Sequence, residues 1–280
     1  MHRIHAAGGT NMPAKYVYID DLPINYLHTG QTTLPDVIPD LGKGEVVLFV
    51  HGAAGDATLW QPYLDSLASQ HSPLAIDLPG HGRSGGWEGL KSIPAYRELI
   101  RKFAERLSLR PFVLVGHSMG GAIALDVALH YPDRLRGLVL ISTGARLRVA
   151  PQILDALKRA MEGKARLTFD RTPYSPQTPE ETIHRIERLR ASTDVRVQYF
   201  NMRACDAFDV MDKLSQIQLP TLVLCGRDDL LTPVKYAEYL QKQIPHARLA
   251  IIDRAGHWLP AEQPQATLQA MEAFLKNLHG

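Results

Sequence analysis

The sequence predicts an α/β protein built on a mostly parallel sheet. Short runs rich in Val, Ile and Leu alternate with longer segments whose apolar residues recur near every 3.6 positions, the signature of strand-helix-strand units. Most of the short runs are continuously apolar, as strands covered on both faces are.

Two alternating runs come first, at 15–20 and 24–29, joined by an Asp-Leu-Pro turn that suits a hairpin. Continuous runs follow at 46–50, 74–77, 112–115, 138–142, 221–225 and 249–253. Helical spacing covers 59–69, 93–107, 119–130, 234–243 and 266–278, which gives the parallel strands their crossovers. The proline-bearing stretch 32–44 has no periodicity and is expected as a surface loop, not a domain boundary. From about 145 to 214 no strand-like run occurs. Helical patterns at 152–162, 180–191 and 195–214 replace it, with Pro151 and Pro179 as helix starters. An insert of roughly seventy residues is too long for an ordinary connection and is expected to be a lid or cap. The expected organisation is therefore a core of 1–144 and 215–280 carrying an all-helical cap of 145–214.

Composition narrows the function. A chain of 280 residues with 45% apolar and 21% charged residues can bury one substantial core, which excludes a disordered protein. The net charge of +2, without basic stretches interleaved with aromatics, argues against a nucleic-acid partner. Two cysteines, Cys205 and Cys225, make no disulfide framework and suggest a reducing compartment. The N-terminal stretch lacks the apolar segment of a secretory signal, and no run is long enough to span a membrane, so a cytoplasmic location is expected. The first dozen residues read as a loose extension, and Met12 is an alternative start.

The chemistry-bearing residues sit where strand-like runs end. Gly116-His117-Ser118-Met119-Gly120 follows an apolar run and opens a helical one, matching the G-x-S-x-G nucleophile elbow. Its glycines let neighbouring backbone approach, and the helix start favours negative charge. A plain helix cap is the alternative reading. A serine hydroxyl needs a base to take its proton and an acid to orient that base. His257, in Arg254-Ala255-Gly256-His257-Trp258, follows the last strand-like run. His51, His81 and His117 compete, but chain order favours His257 because this motif class runs serine, acid, histidine. The acid should follow the 221–225 run, where Asp229 is preferred on spacing and Asp228 is the reserve, one of the two being free to cap the next helix. The oxyanion formed at the attacked carbonyl needs two donors. The Met119 amide is one, and the Ala53 amide, in His51-Gly52-Ala53-Ala54-Gly55, is the chosen second. The turn Asp77 to Ser84 is expected to shape the site wall.

In order, HGAAG, DLPGHGRS, GHSMGG, the helical insert, GRDDLLTP and AGHW resemble the α/β-hydrolase superfamily from about Tyr16 to Leu278. The resemblance implies an eight-stranded, mostly parallel sheet under a cap. It also implies Ser118, Asp229 and His257 as triad, Ala53 and Met119 as oxyanion donors, and no metal or cofactor. Similar dehalogenases and epoxide hydrolases carry aspartate where this chain has Ser118. Similar carbon-carbon hydrolases favour asparagine before the serine and a Ser-Gly-Pro oxyanion loop, where this chain has His117 and Ala53-Ala54. A carboxylesterase or lipase-like enzyme acting on small ester substrates therefore ranks first. Carbon-carbon cleavage ranks second, ahead of perhydrolase or acyltransferase activity, and a non-catalytic small-ligand binder is the rival from another class. In the cap, Phe200, Met202, Phe208 and Met211 either line a pocket or pack on the core. Glu181/Arg185 and Glu187/Arg190 are expected as weak pairs on a solvated face, and Trp258 either touches substrate or braces its loop.

Overall fold

The computed structural model describes residues 14–30, 37–168 and 170–278. All eight expected strands form: β1 (Ala14–Ile19), β2 (Leu22–His28), β3 (Val46–Val50), β4 (Ser72–Ile76), β5 (Phe112–His117), β6 (Leu135–Ile141), β7 (Thr221–Gly226) and β8 (Ala247–Ile252). They make one sheet in the order β1-β2-β4-β3-β5-β6-β7-β8. β2 runs antiparallel to both neighbours, and every other pairing from β4 to β8 is parallel. The hairpin differs from expectation. Its turn is Asp20-Asp21, with φ of 48° and 65°, and Leu22 and Pro23 already belong to β2. Two positive φ values match the right-handed twist of the flanking strands, and aspartate tolerates that region better than leucine does. Of the stretch 32–44, residues 32–36 lie outside those described, and 37–44 hold no helix or strand.

Helices α1 (Gln61–Leu67), α2 (Ile93–Arg106) and α3 (Met119–His130) connect the first parallel strands. The first begins as a 3₁₀ turn, Ala57–Trp60, because Asp56 caps it by accepting from the Thr58 amide at 2.8 Å. Later come α7 (Val234–Gln243), the short α8 (Leu259–Glu262) and α9 (Pro264–Lys276). Alternate strand residues feed two cores. Leu48, Leu114 and Leu140 pack towards α2 and α3, whereas Phe49, Val115 and Val139 pack towards Trp60, Tyr63 and Phe274 on the other face. Fully burying each such side chain contributes about 1.5–3 kcal/mol, so both faces hold the central strands in place.

Between β6 and β7 lie α4 (Pro151–Met161), α5 (Glu180–Ala191) and α6 (Val195–Asp206). Among the described residues this stretch adds no strand, only one isolated bridge between Arg146 and Asp209. Helix α6 stops at Asp206 instead of continuing to 214. The Asp206 carboxylate accepts from the Val149 amide at 3.0 Å, and the Val210 amide donates to the Ala145 carbonyl at 2.8 Å, which turns the chain back towards the end of β6. Leu214–Gln216 is a separate 3₁₀ turn. On α5 the expected Glu181/Arg185 pairing gives way to a contact from Arg185 to the Ala261 carbonyl at 3.4 Å, and Glu180 pairs with Arg171 at 2.6 Å. Among the described residues no helix is long and apolar enough to cross a membrane.

Candidate active site

Ser118 follows β5 at φ 53° and ψ −116°, a conformation that L-residues adopt at a cost of about 1–3 kcal/mol. The surroundings impose it. The Ser118 amide donates to the Ile141 carbonyl of β6 at 2.9 Å, and its carbonyl accepts from the Gly121 amide and the Thr143 hydroxyl at 2.9 and 2.8 Å. The flanking glycines are required by space: a Cβ on Gly116 would stand 2.2 Å from the Gly120 carbonyl oxygen, and one on Gly120 would stand 2.3 Å from that of Val50. The turn is therefore tight enough to leave the serine side chain partly exposed while the residues on either side are buried.

The Ser118 Oγ lies 2.9 Å from His257 Nε2. On the far side of the ring, His257 Nδ1 lies 3.0 and 3.2 Å from the two oxygens of Asp229. A carboxylate accepts only, so Nδ1 carries the proton and Nε2 is left to accept from the serine hydroxyl. Asp229 is held by more than the histidine. The Leu231 and Thr232 amides donate to Oδ1 at 2.9 and 2.8 Å, and the Thr232 hydroxyl donates to Oδ2 at 2.8 Å. Burial alone would push its pKa up, but the charge and hydrogen bond of His257 and the Thr232 donors outweigh this and lower it to about 2. Asp228 points elsewhere and accepts from the Ser175 hydroxyl at 2.6 Å. The structure thus brings Ser118, His257 and Asp229 together and leaves Asp228 out of the row.

Ala53 follows Gly52, which packs against Ser118, and Met119 follows Ser118 directly. Gly52 to Gly55 form a turn closed at 3.1 Å, with Ala54 at φ 57°, and a Cβ on Gly52 would stand 3.0 Å from the Ser118 Cβ. Met119 is the first residue of α3, where helix geometry leaves its amide without an internal acceptor. Among the described residues neither amide donates to another group.

The competing histidines are structural. His51 Nε2 accepts from the Leu78 amide at 3.0 Å, which leaves Nδ1 to donate to the Gly52 carbonyl at 2.8 Å. His81 Nε2 lies 2.9 Å from Asn201 Nδ2, and that asparagine accepts from the Tyr96 hydroxyl at 2.7 Å, tying α6 to the Asp77 to Ser84 turn. His117 is packed under the site, its Nε2 2.8 Å from the His257 carbonyl. Burial lowers the pKa values of His51, His81 and His117 to about 4, 3 and 3.

Of the apolar residues singled out between β6 and β7, Phe208 lies in the core under α2 and α3 and Met202 and Met211 pack against it, while Phe200 lies under the Lys91 ammonium, 4.5 Å from its ring centroid. Trp258 is buried, its ring 5.4 Å from His117, so it braces the loop. Two participants escaped the sequence reading. Thr232 left a signal, since it stands three positions after an aspartate, the spacing at which a capping carboxylate meets a backbone amide. Glu262 was not, because it acts on backbone amides that no pattern of side chains announces.

A mostly parallel sheet whose carboxyl edge gathers a serine, a histidine and an aspartate from the ends of β5, β8 and β7 defines the class of α/β hydrolases. A model described as "Alpha/beta hydrolase family" matches residues 47–270, and the chain belongs to that family. "Putative carbamate hydrolase RutD" of Azorhizobium caulinodans is 27% identical over 265 residues, covering 89% of this chain and 97% of the relative. "Monoacylglycerol lipase ABHD6" of Homo sapiens is 25% identical over 293 residues, covering 96% and 83%. A solved structure described as that of a thermophilic esterase superposes with a TM-score of 0.77 at 31% identity, covering 95% of this chain and 98% of that one.

Proposed function

We propose that the protein is a serine hydrolase that cleaves small to medium carboxylic esters through an acyl-enzyme. The observation that carries the reading is the row Ser118 Oγ, His257 Nε2 and Nδ1, Asp229 Oδ2, with separations of 2.9 and 3.0 Å. In this reading His257 takes the Ser118 proton as Oγ attacks the ester carbonyl carbon, and the Ala53 and Met119 amides bind the oxyanion. His257 then hands the proton to the departing alkoxide, which leaves as the alcohol. A water molecule, deprotonated by the same imidazole, then attacks the acyl carbonyl carbon, and the imidazolium returns that proton to Ser118 Oγ as the acid leaves. Asp229 holds the ring in the required tautomer and stabilises its cation. The cycle uses no cofactor.

The relatives and the solved esterase support acyl transfer to water, since a carbamate and a monoacylglycerol, the substrates in the relatives' names, each carry an acyl carbonyl. Residues 145–214 are proposed as a cap on the core of 1–144 and 215–280. Support comes from the bonds this stretch makes to the site loops, including His257 amide to Pro173 carbonyl at 2.7 Å. A cytoplasmic location completes the reading, supported by two free, buried cysteines.

The test is release of nitrophenol from short-chain nitrophenyl esters by the wild type and Ser118→Ala. Turnover by the wild type with loss of at least about a thousandfold in the variant is expected. Equal rates in the two proteins overturn the assignment.

A further inference from the structure

Glu262 ends α8, five residues after His257, and is 8% exposed. Its Oε1 accepts from the Trp258 amide at 3.0 Å, and its Oε2 accepts from the Gly256 amide at 3.0 Å. One carboxylate therefore grips the backbone on both sides of His257. The same Oε2 accepts from the Ser175 amide at 2.9 Å and from the Thr178 hydroxyl, both in the stretch between α4 and α5. That stretch also takes the His257 amide on the Pro173 carbonyl at 2.7 Å. A buried carboxylate costs several kcal/mol unless its oxygens are satisfied, and here four donors satisfy it, none of them a cation. A structural salt bridge would need only one partner. This arrangement instead converges on the backbone just before and just after His257.

We propose that Glu262 is a positioning residue for the base: by clamping the Gly256 and Trp258 amides it fixes the His257 ring between Ser118 and Asp229, and by holding Ser175 and Thr178 it makes the 173–178 segment part of that clamp. The inference rests on the reading of His257 as general base and acid. Space is tight at the clamp, since a Cβ on Gly256 would stand 2.6 Å from the Pro173 carbonyl oxygen. The loop therefore has little room to drift while the carboxylate is in place. Glu262→Gln replaces one accepting oxygen with an NH₂ that faces an N–H donor, so at least one amide beside His257 loses its partner. Glu262→Asp keeps both acceptors on a shorter stem.

Proton donation by His257 matters most when the leaving group is a poor one, which gives a readout that loss of folded protein does not mimic. Wild type, Glu262→Gln and Glu262→Asp are compared on a nitrophenyl ester and on an alkyl ester of the same acid, with rates normalised to folded protein. The expected result for Glu262→Gln is a fall in kcat of about tenfold on the nitrophenyl ester and about a hundredfold on the alkyl ester, as misplacement of a catalytic group by roughly 1 Å produces, with KM little changed. Glu262→Asp is expected to recover part of the loss on both. Equal falls on the two esters, or no fall, overturn the inference. If Glu262→Gln does not fold, the leaving-group comparison in Glu262→Asp decides in the same way. Wild-type activity that survives Ser118→Ala would instead sink the proposed function itself.

Discussion

The His117 imidazole donates through Nε2 to the backbone carbonyl of His257 at 2.8 Å, so the residue before the nucleophile holds the main chain of the base. A carbonyl only accepts, which fixes the proton on Nε2 and leaves Nδ1 buried with no partner among the described residues. The ring must therefore stay neutral. Burial is the first cause of its lowered pKa, and the charge of His257 is the second.

That neutrality sets a pH dependence. His51, His81 and His117 have folded-state pKa values lowered to about 4, 3 and 3 from an ordinary 6.5. The unfolded chain takes up their protons first, so their contribution to stability is complete above 6.5 and is lost as the pH falls from there towards the folded values. His81→Gln keeps one donor and one acceptor for the Pro79 carbonyl and the Asn201 amide but cannot be charged. Thermal unfolding across this range should show a smaller drop for the variant than for the wild type. Parallel curves would contradict the account.

The two aspartates of the β7 loop should behave differently. Asp229→Asn turns an acceptor at His257 Nδ1 into an amide and frees the imidazole to adopt the wrong tautomer, with an expected loss in kcat of about 10⁴. Among the described residues the Asp228 carboxylate accepts only from the Ser175 hydroxyl, a bond the asparagine oxygen can still accept, so Asp228→Asn should leave kcat near the wild-type rate. Steady-state kinetics on one nitrophenyl ester separates the two, and a larger loss at Asp228 would reverse the assignment.

The elbow should not tolerate a methyl group. In Gly116→Ala the new carbon meets backbone at 2.2 Å, which a side-chain rotation cannot relieve. The expected cost is about 3 kcal/mol, read as a lower urea midpoint. An unchanged midpoint would mean that the turn is looser than its geometry.

Strand positions were legible because six of the eight are continuous apolar runs; five of these are buried almost throughout, whereas β8, at the sheet edge, is apolar but only half-buried. The ends were less so: α6 looks helical as far as Leu214, and its stop at Asp206 comes from a side-chain bond to Val149, a partner 57 positions back that local pattern does not register. The same distinction divides the site. Ser118, His257 and Asp229 announce themselves by residue type at the end of a strand. Glu262 and Asn201 act on groups distant in sequence, a backbone amide and a ring nitrogen, and only the folded chain brings them into contact.

The central claim is that Ser118 is made nucleophilic by His257. Intact-mass and peptide analysis after exposure to a fluorophosphonate probe tests it most directly. One adduct per chain on Ser118 is predicted for the wild type, absent from Ser118→Ala and formed far more slowly by His257→Ala. A folded wild-type protein that stays unlabelled, or carries its adduct on another residue, would contradict it.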